Sequence, residues 1–350
     1  MGVALIAKIS HNKSRYRNGS GMRIGITYDL RDEYLAEGLS EEETAEFDSQ
    51  ETIDAIEQAL QGLRFRTDRI GTIRDLTKRL SAGDRWDMVF NIAEGLSGFG
   101  REAQVPALLD AFSIPYTFSD PLVLSLTLHK GMTKRVIRDL GIPTPDFAIV
   151  ETAEEVTTLG MLFPLFAKPI AEGTGKGITA ASKIESIDEL YSICEILLSQ
   201  YKQPVLLESF LPGREFTVGM IGTGNDARVI GLVEVVLQEQ AEPAAYSYWN
   251  KKRYQELVDY RRAHDATAKK AEMVALAAWR GLGCRDAGRV DLRADVHGMP
   301  NFIEVNPLAG LHPQDSDLPI LCRMAGITYA ELIGQIMNSA LKRVGGPLGI

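Results

Sequence analysis

The chain is poor in the residues that usually carry redox or zinc chemistry. Its 350 residues include only three cysteines, Cys194, Cys284 and Cys322, and five histidines. No CxxC pair occurs, and three scattered thiols cannot build a disulfide framework, so structural cysteines in a reducing cytoplasm are expected. No HExxH motif or histidine cluster occurs among His11, His129, His264, His297 and His312, which argues against a zinc site. No apolar run approaches the ~20 residues of a membrane helix. Val3 to Ala7 is too short for the apolar core of a signal peptide. Basic runs are missing as well. With 38 Lys and Arg against 47 Asp and Glu, the net charge is -9, which excludes a nucleic-acid footprint. Any anionic ligand must therefore be met by a local cluster of cations. GxxxxGK[ST] is absent, and Gly19-Ser20-Gly21 precedes the first strand-like run instead of following it. The P-loop and the dinucleotide-binding fingerprint are both excluded.

What is present suffices for two or three hydrophobic cores, since 45% of the residues are hydrophobic. Residues 1–21 read as a poorly ordered extension. Arg23 to Tyr28 is strand-like, and a polar, acidic stretch follows from Asp29 to Glu46. A helix capped near Ser49 carries Ile53, Ile56 and Leu60. A helix over 72–80 and a buried strand at Asp87 to Asn91 come next, then a glycine-rich loop from Glu94 to Gly100. This alternation predicts an α/β layer. A helix over 122–140 opens a second unit. The pattern turns β-rich beyond Gly213, and an aromatic, basic loop runs from Tyr246 to Tyr260.

Three constellations carry chemistry. The first is Gly288-Arg289-Val290-Asp291-Leu292 with Asn301 to Pro307. A two-residue turn at His297-Gly298 would pair Asp291 with Glu304 and Arg289 with Asn306. Alternation then puts these four on one face and Val290, Leu292, Ile303 and Val305 on the other. Facing carboxylates repel, and a divalent cation removes that cost. Asp291, Glu304 and Asn306 offer only oxygen ligands, which suits Mg²⁺ or Mn²⁺. A plain solvated hairpin face is the bland alternative. The second is Phe166-Ala167-Lys168-Pro169 followed by the loop Glu172 to Ile178. Its glycines, Gly173 and Gly175 among them, let backbone N–H groups approach phosphate closely; an ordinary glycine hairpin is the alternative. The third places Glu208 and Glu215 at the edges of an apolar crossing, where carboxylates could accept from an adenine amino group and ribose hydroxyls.

The order and spacing of these blocks resemble the ATP-grasp superfamily and, within it, the D-alanine–D-alanine ligases. The resemblance runs from Met22 to Leu341 through Val89-Phe90-Asn91, Ile114 to Thr117, His129-Lys130, Leu140 to Pro145, Ala167-Lys168-Pro169, Gly213-Arg214-Glu215, Gly288 to Asp291 and Glu304-Val305-Asn306. It implies a three-domain ATP-grasp fold over 22–120, 121–208 and 209–345, with the nucleotide cleft between the central and C-terminal domains. It implies ATP and a pair of Mg²⁺ ions held by Asp291, Glu304 and Asn306. Lys130, Lys168 and Lys251 would grip phosphates, with Gly173, Thr174 and Gly175 lining their loop. Glu208 would face adenine and Glu215 the ribose. Arg289 would stabilise an oxyanion; Thr174 and Lys251 are grouped with it as catalytic. The activity implied is ligation of a small carboxylic acid to an amine or similar nucleophile through an acyl phosphate. The resemblance leaves room for a homodimer.

The substrate half departs from the family pattern. The Ser-Ala-Glu-Arg run of the first loop is replaced by Tyr28 to Tyr34. Glu94-Gly95 stands for His-Gly, Thr174-Gly175 for Ser-Ser, and Lys251-Lys252 for Lys-Tyr. The His-Ser-Leu that holds a substrate carboxylate becomes Asp315-Ser316-Asp317. Glu94, Lys252, Asp315 and Ser316 are therefore the candidate substrate residues. An incoming carboxylate ~4 Å from such a charge would meet a cost of about 4 kcal/mol at an effective dielectric of 20. An acceptor with a cationic or neutral end fits better, unless these residues merely cap a helix. A genuine D-alanine–D-alanine ligase with altered loops and a non-catalytic ATP-binding regulatory module are the rival readings. Tyr246, Tyr248, Trp249 and Tyr254 belong to a lid or to an anchored loop.

Overall fold

The computed structural model describes residues 21–243 and 247–345. Tyr246 and nearly all of the expected extension lie outside the described residues. Strands β1 (Arg23–Thr27), β2 (Arg66–Gly71) and β3 (Met88–Asn91) form a parallel sheet in the order β2-β1-β3. Ile24, Ile26, Met88 and Phe90 are fully buried, as a sheet covered on both faces requires. Helix Gln50–Gly62 makes the crossover from β1 to β2, and the Ser49 hydroxyl caps it by accepting from the Thr52 N–H.

The second sheet is antiparallel. It contains β4 (Phe147–Val150), β5 (Leu165–Pro169), β6 (Lys183–Ile184) and β7 (Val205–Ser209), ordered β4-β7-β5-β6. The third holds β8 (Glu215–Ile221), β9 (Arg228–Leu237), β10 (Val258–Arg262), β11 (Ala287–Ala294) and β12 (Pro300–Asn306), ordered β10-β9-β8-β11-β12. Helix Ala266–Gly281 backs this sheet with a row of alanines and the fully buried Trp279. The last helix, Tyr329–Arg343, returns to the first unit, where Ile333, Ile336 and Met337 share one core with Ile53, Ile56 and Leu60. Arg343 pairs at 2.6 Å with the buried Asp286, which also accepts from the Phe118 N–H at 2.7 Å.

Three sequence expectations need correction. The helix expected over 122–140 is two helices, Pro121–Leu128 and Lys130–Asp139, broken at His129. There the His129 ring accepts from the Met132 N–H, and the Lys130 N–H leaves the helix ladder to reach the Ile170 carbonyl at 3.0 Å. The segment read as an aromatic loop contains helices Tyr248–Lys252 and Tyr254–Leu257 and then β10.

The third correction concerns the hairpin, whose turn is one residue longer than expected. The Asp295 N–H bonds the Met299 carbonyl, and Gly298 takes a positive φ of 76° that suits glycine. A bulge at Ile303 restores the register. Leu292 pairs with Phe302, yet Asp291 still pairs with Glu304 and Arg289 with Asn306. Ile303 consequently leaves the apolar face and lines a cavity beside Glu304.

All three cysteines are buried, and burial pushes the Cys194 thiol up to about 11 and Cys322 to about 12. Among the described residues no helix is long and apolar enough to cross a membrane.

Candidate active site

Strands β11 and β12 carry the acidic centre. Asp291 and Glu304 face each other across the ladder, and Thr217 of β8 donates to Asp291 Oδ1 at 2.9 Å. Arg289 Nε lies 3.3 Å from Asp291 Oδ2 and 3.6 Å from an Asp317 oxygen. The Asn306 amide reaches Asp291 Oδ2 at 3.3 Å. Lys130 Nζ stands 3.5 Å from Glu304. Burial raises the pKa of Asp291, and the neighbouring Glu304 charge adds to this against the pull of Arg289. Burial also acts upward on Glu304, but Lys130, Lys168, Lys251 and Arg289 outweigh it and hold that carboxyl well below its usual range. Two carboxylates and an amide in one wall, with like charges opposed, form an all-oxygen donor set that fits a hard divalent cation.

A buried ion triad sits beside this centre. Glu208 on β7 pairs with Lys168 of β5 at 2.7 Å and closely with Lys134, which is fully buried. The sequence reading missed Lys134. Its spacing of four from Lys130 on one helix face was the available signal. Lys134 also reaches Thr144 at 2.8 Å and the Phe302 carbonyl at 3.3 Å, tying the helix to β12. The two lysines shift in opposite directions. Burial, reinforced by the nearby Lys168 charge, brings Lys134 down to about 8 despite Glu208. At Lys168 burial is outweighed by Glu208, Glu304 and Glu215, and the pKa rises. The expected adenine-facing carboxylate is thus held by two cations, while Glu215 lies 3.6 Å from Arg293.

The glycine loop after β5 is fastened from the first unit. The Gly173 N–H donates to Glu46 Oε1 at 2.6 Å, and Arg101 and Lys176 approach Glu46 Oε2 at 3.1 and 3.4 Å. Burial raises the Glu46 pKa, but the two cations and the Gly173 bond prevail and lower it. Thr174 has φ 54° and Gly175 φ 75°, so the loop turns through the left-handed region at two successive residues. A Cβ on Gly175 would lie 2.8 Å from the Tyr248 backbone nitrogen, which is how closely the segment 247–257 approaches. Glu46, Lys176 and Arg101 carried no signal in the sequence, because they converge only through the fold.

Two cavities meet at the acidic centre. One, of about 640 Å³, is bordered by Gly173, Thr174, Arg289 and Asn306 and by all four candidate substrate residues, Glu94, Lys252, Asp315 and Ser316. The other is bordered by Lys168, Gly175, Glu208, Glu215, Asp291 and Arg293. Lys130, Lys251, Glu304 and Asp317 border both.

The candidate substrate residues are held by varied partners. Lys252 pairs with Glu41 at 2.7 Å. Asp315 accepts from the Tyr254 hydroxyl at 3.0 Å. Ser316 stands at the N-cap of helix Asp317–Met324, but its side chain makes no cap bond and instead accepts from the His312 N–H at 2.9 Å. Burial first, and then the Glu102 charge, push Glu94 well above the ordinary carboxylate range; Glu102 is pushed up to about 7.

Comparisons with known proteins agree with this architecture. The family model of the D-ala D-ala ligase C-terminus matches residues 136–338. The uncharacterized protein y4sG of Sinorhizobium fredii is 33% identical over 264 residues, covering 74% of this chain and 76% of that protein. The D-alanine–D-alanine ligase of Bordetella avium is 32% identical over 282 residues, covering 79% and 84%. The D-alanine–D-alanine ligase of Bacillus anthracis, solved in complex with ATP, superposes with a TM-score of 0.69 at 22% identity, covering 92% of this chain and 98% of that one. The VanG D-Ala:D-Ser ligase of Enterococcus faecalis gives 0.70 at 18% identity over 92% of this chain and all of its own. Ligase relatives at this similarity argue against a regulatory module without turnover. The chain belongs to the D-alanine–D-alanine ligase family, as an ATP-dependent ligase of ATP-grasp fold that forms C–N bonds.

Proposed function

We propose that the protein is a cytoplasmic enzyme joining a small carboxylic acid to an amine through an acyl phosphate, with ADP and phosphate released. The observation that carries this reading is the junction of the two cavities at Lys130, Lys251, Glu304 and Asp317. A nucleotide in the cavity beside Glu208 and Glu215 would direct its terminal phosphate to that junction. An acid in the larger cavity would meet it there, beside Arg289.

In this reading Asp291, Glu304 and Asn306 hold divalent cations, which neutralise phosphate charge when bound. Lys130, Lys168 and Lys251 bind phosphate oxygens, and Gly173, Thr174 and Gly175 shape the loop over them. The substrate carboxylate takes the γ-phosphoryl group, and the P–O bond to ADP breaks with its electron pair on ADP. The amine nitrogen then attacks the acyl carbon. The C–N bond forms, the C–O bond breaks, and phosphate departs with that electron pair and one amine proton. Arg289 stabilises the oxyanion in between. Positioning and charge neutralisation supply the rate, so no side chain is required as a proton shuttle.

The names of the relatives favour a second reading, in which both substrates are D-alanine. Hydroxylamine trapping tests the first. With ATP, Mg²⁺ and a panel of amino and hydroxy acids, hydroxylamine should yield an acid-dependent hydroxamate together with ADP. No hydroxamate with any acid would overturn the acyl-phosphate reading. D-alanine as both donor and acceptor, saturating at millimolar or lower concentration, would establish the second.

A further inference from the structure

We infer that Asp317 selects the acceptor, and that the acceptor is an amine carrying no free carboxylate. This rests on the ligase reading above. Asp317 opens helix Asp317–Met324 and borders both cavities. Its carboxylate is fixed from two sides: Oδ1 accepts from the Tyr260 hydroxyl at 2.7 Å, and Oδ2 stands 3.6 Å from Arg289 Nε. Its side chain is only 14% exposed.

A helix N-terminus next to an arginine is a natural seat for a substrate carboxylate. Here the protein's own Asp317 carboxylate stands against that arginine. Ser316, the neighbouring hydroxyl, is already engaged with the His312 N–H. Asp315, one residue further, adds a second negative charge held by Tyr254.

The other carboxylates of the larger cavity point the same way. Asp48, Glu94 and Glu102 line it, and burial raises all three carboxyls, helped by the Asp29 charge at Asp48, by Glu102 at Glu94 and by Glu46 at Glu102. Added anions are unwelcome in such a field, whereas an ammonium relieves it. Two cations of this cavity are taken up elsewhere, Lys252 by Glu41 and Arg253 by Glu256. Lys251 stands at the nucleotide junction. An acceptor ammonium is therefore drawn to Asp317, and a carboxylate on the same molecule is repelled from it.

The test compares D-alanine with D-alaninamide as acceptors in the full-length enzyme. The donor is the acid that gives the strongest hydroxamate signal, so a failure of the ligase reading would show there first, as no hydroxamate. Given a hydroxamate, the amide should exceed the amino acid in kcat/KM at least fivefold. In Asp317→Asn that ratio should fall below twofold, and in Asp317→Glu, which keeps the charge, it should persist. Because the ratio is taken within each variant, partial loss of folded enzyme cancels. A wild-type ratio under fivefold, a ratio unchanged in Asp317→Asn, or no turnover of the amide would overturn the assignment.

Discussion

Glu46 Oε1 lies 2.6 Å from the backbone nitrogen of Gly173, so a carboxylate of the first unit grips the glycine loop of the second across 127 positions of sequence. The loop proposed to cover phosphate is thereby clamped from outside its own sheet. Hydrogen bonds to charged acceptors contribute about 1.5–3 kcal/mol. Glu46→Ala should accelerate amide hydrogen exchange at Gly173 roughly ten- to hundredfold and leave exchange in β8 and β11 unchanged. Equal protection in the variant would show that the loop keeps its shape unaided.

Glu304 faces Asp291 and stands 3.5 Å from Lys130 at the meeting point of the two cavities. Glu304→Gln keeps the shape and removes the charge. Acid-dependent ADP release should fall on the order of 10²–10³-fold, the scale of losing one preorganised electrostatic contact. The rise in melting temperature given by Mg²⁺ with ATP should disappear as well. Normal turnover at low Mg²⁺ would remove Glu304 from the proposed metal site.

Lys168 pairs with Glu208 in the wall of the cavity proposed to hold nucleotide. Lys168→Met removes one charge-assisted contact and leaves Glu208 to Lys134 alone. ATP binding should weaken by about 1.5–3 kcal/mol, measured by titration calorimetry. An unchanged affinity would place Lys168 in a purely structural pair.

Asp48 provides a pH test of the acidic cavity. Burial first, and the Asp29 charge second, push its carboxyl from 3.8 up to about 7. A raised carboxyl favours folding fully below its unfolded value, and that contribution is lost as pH rises through the folded value. Asp48→Asn carries no such loss. Urea unfolding should show its stability relative to wild type growing between pH 5 and pH 8, on the order of 2 kcal/mol after allowance for partial exposure. A difference independent of pH would place Asp48 in a polar, solvated setting.

Much of this protein was legible in its sequence because the signals were local. Alternation along β11 and β12 put Arg289, Asp291, Glu304 and Asn306 on one face, since side-chain direction in an unbroken stretch of strand follows parity. The facing pairs came out right although the turn was misjudged by one residue, since the bulge at Ile303 cancels that error. The same bulge turned Ile303 from core to cavity wall, which parity alone could not foresee. The break at His129 was equally hidden, because its cause is the Ile170 carbonyl on a distant segment.

The remaining contacts arise only on folding. Folding brought Lys134 to Glu208, Glu46 to Gly173, and Asp317 to Arg289, three pairs of charged or polar groups whose partners lie 74, 127 and 28 positions apart. Such pairings leave no periodic trace, for a charge on a polar face reads the same whether it meets solvent or a buried partner. Residue type and strand parity alone mark out the candidates for phosphate and metal chemistry. Folding determined which carboxylates stay open to a substrate and which are consumed in holding the site together, because only packing sets the distances over which charges act.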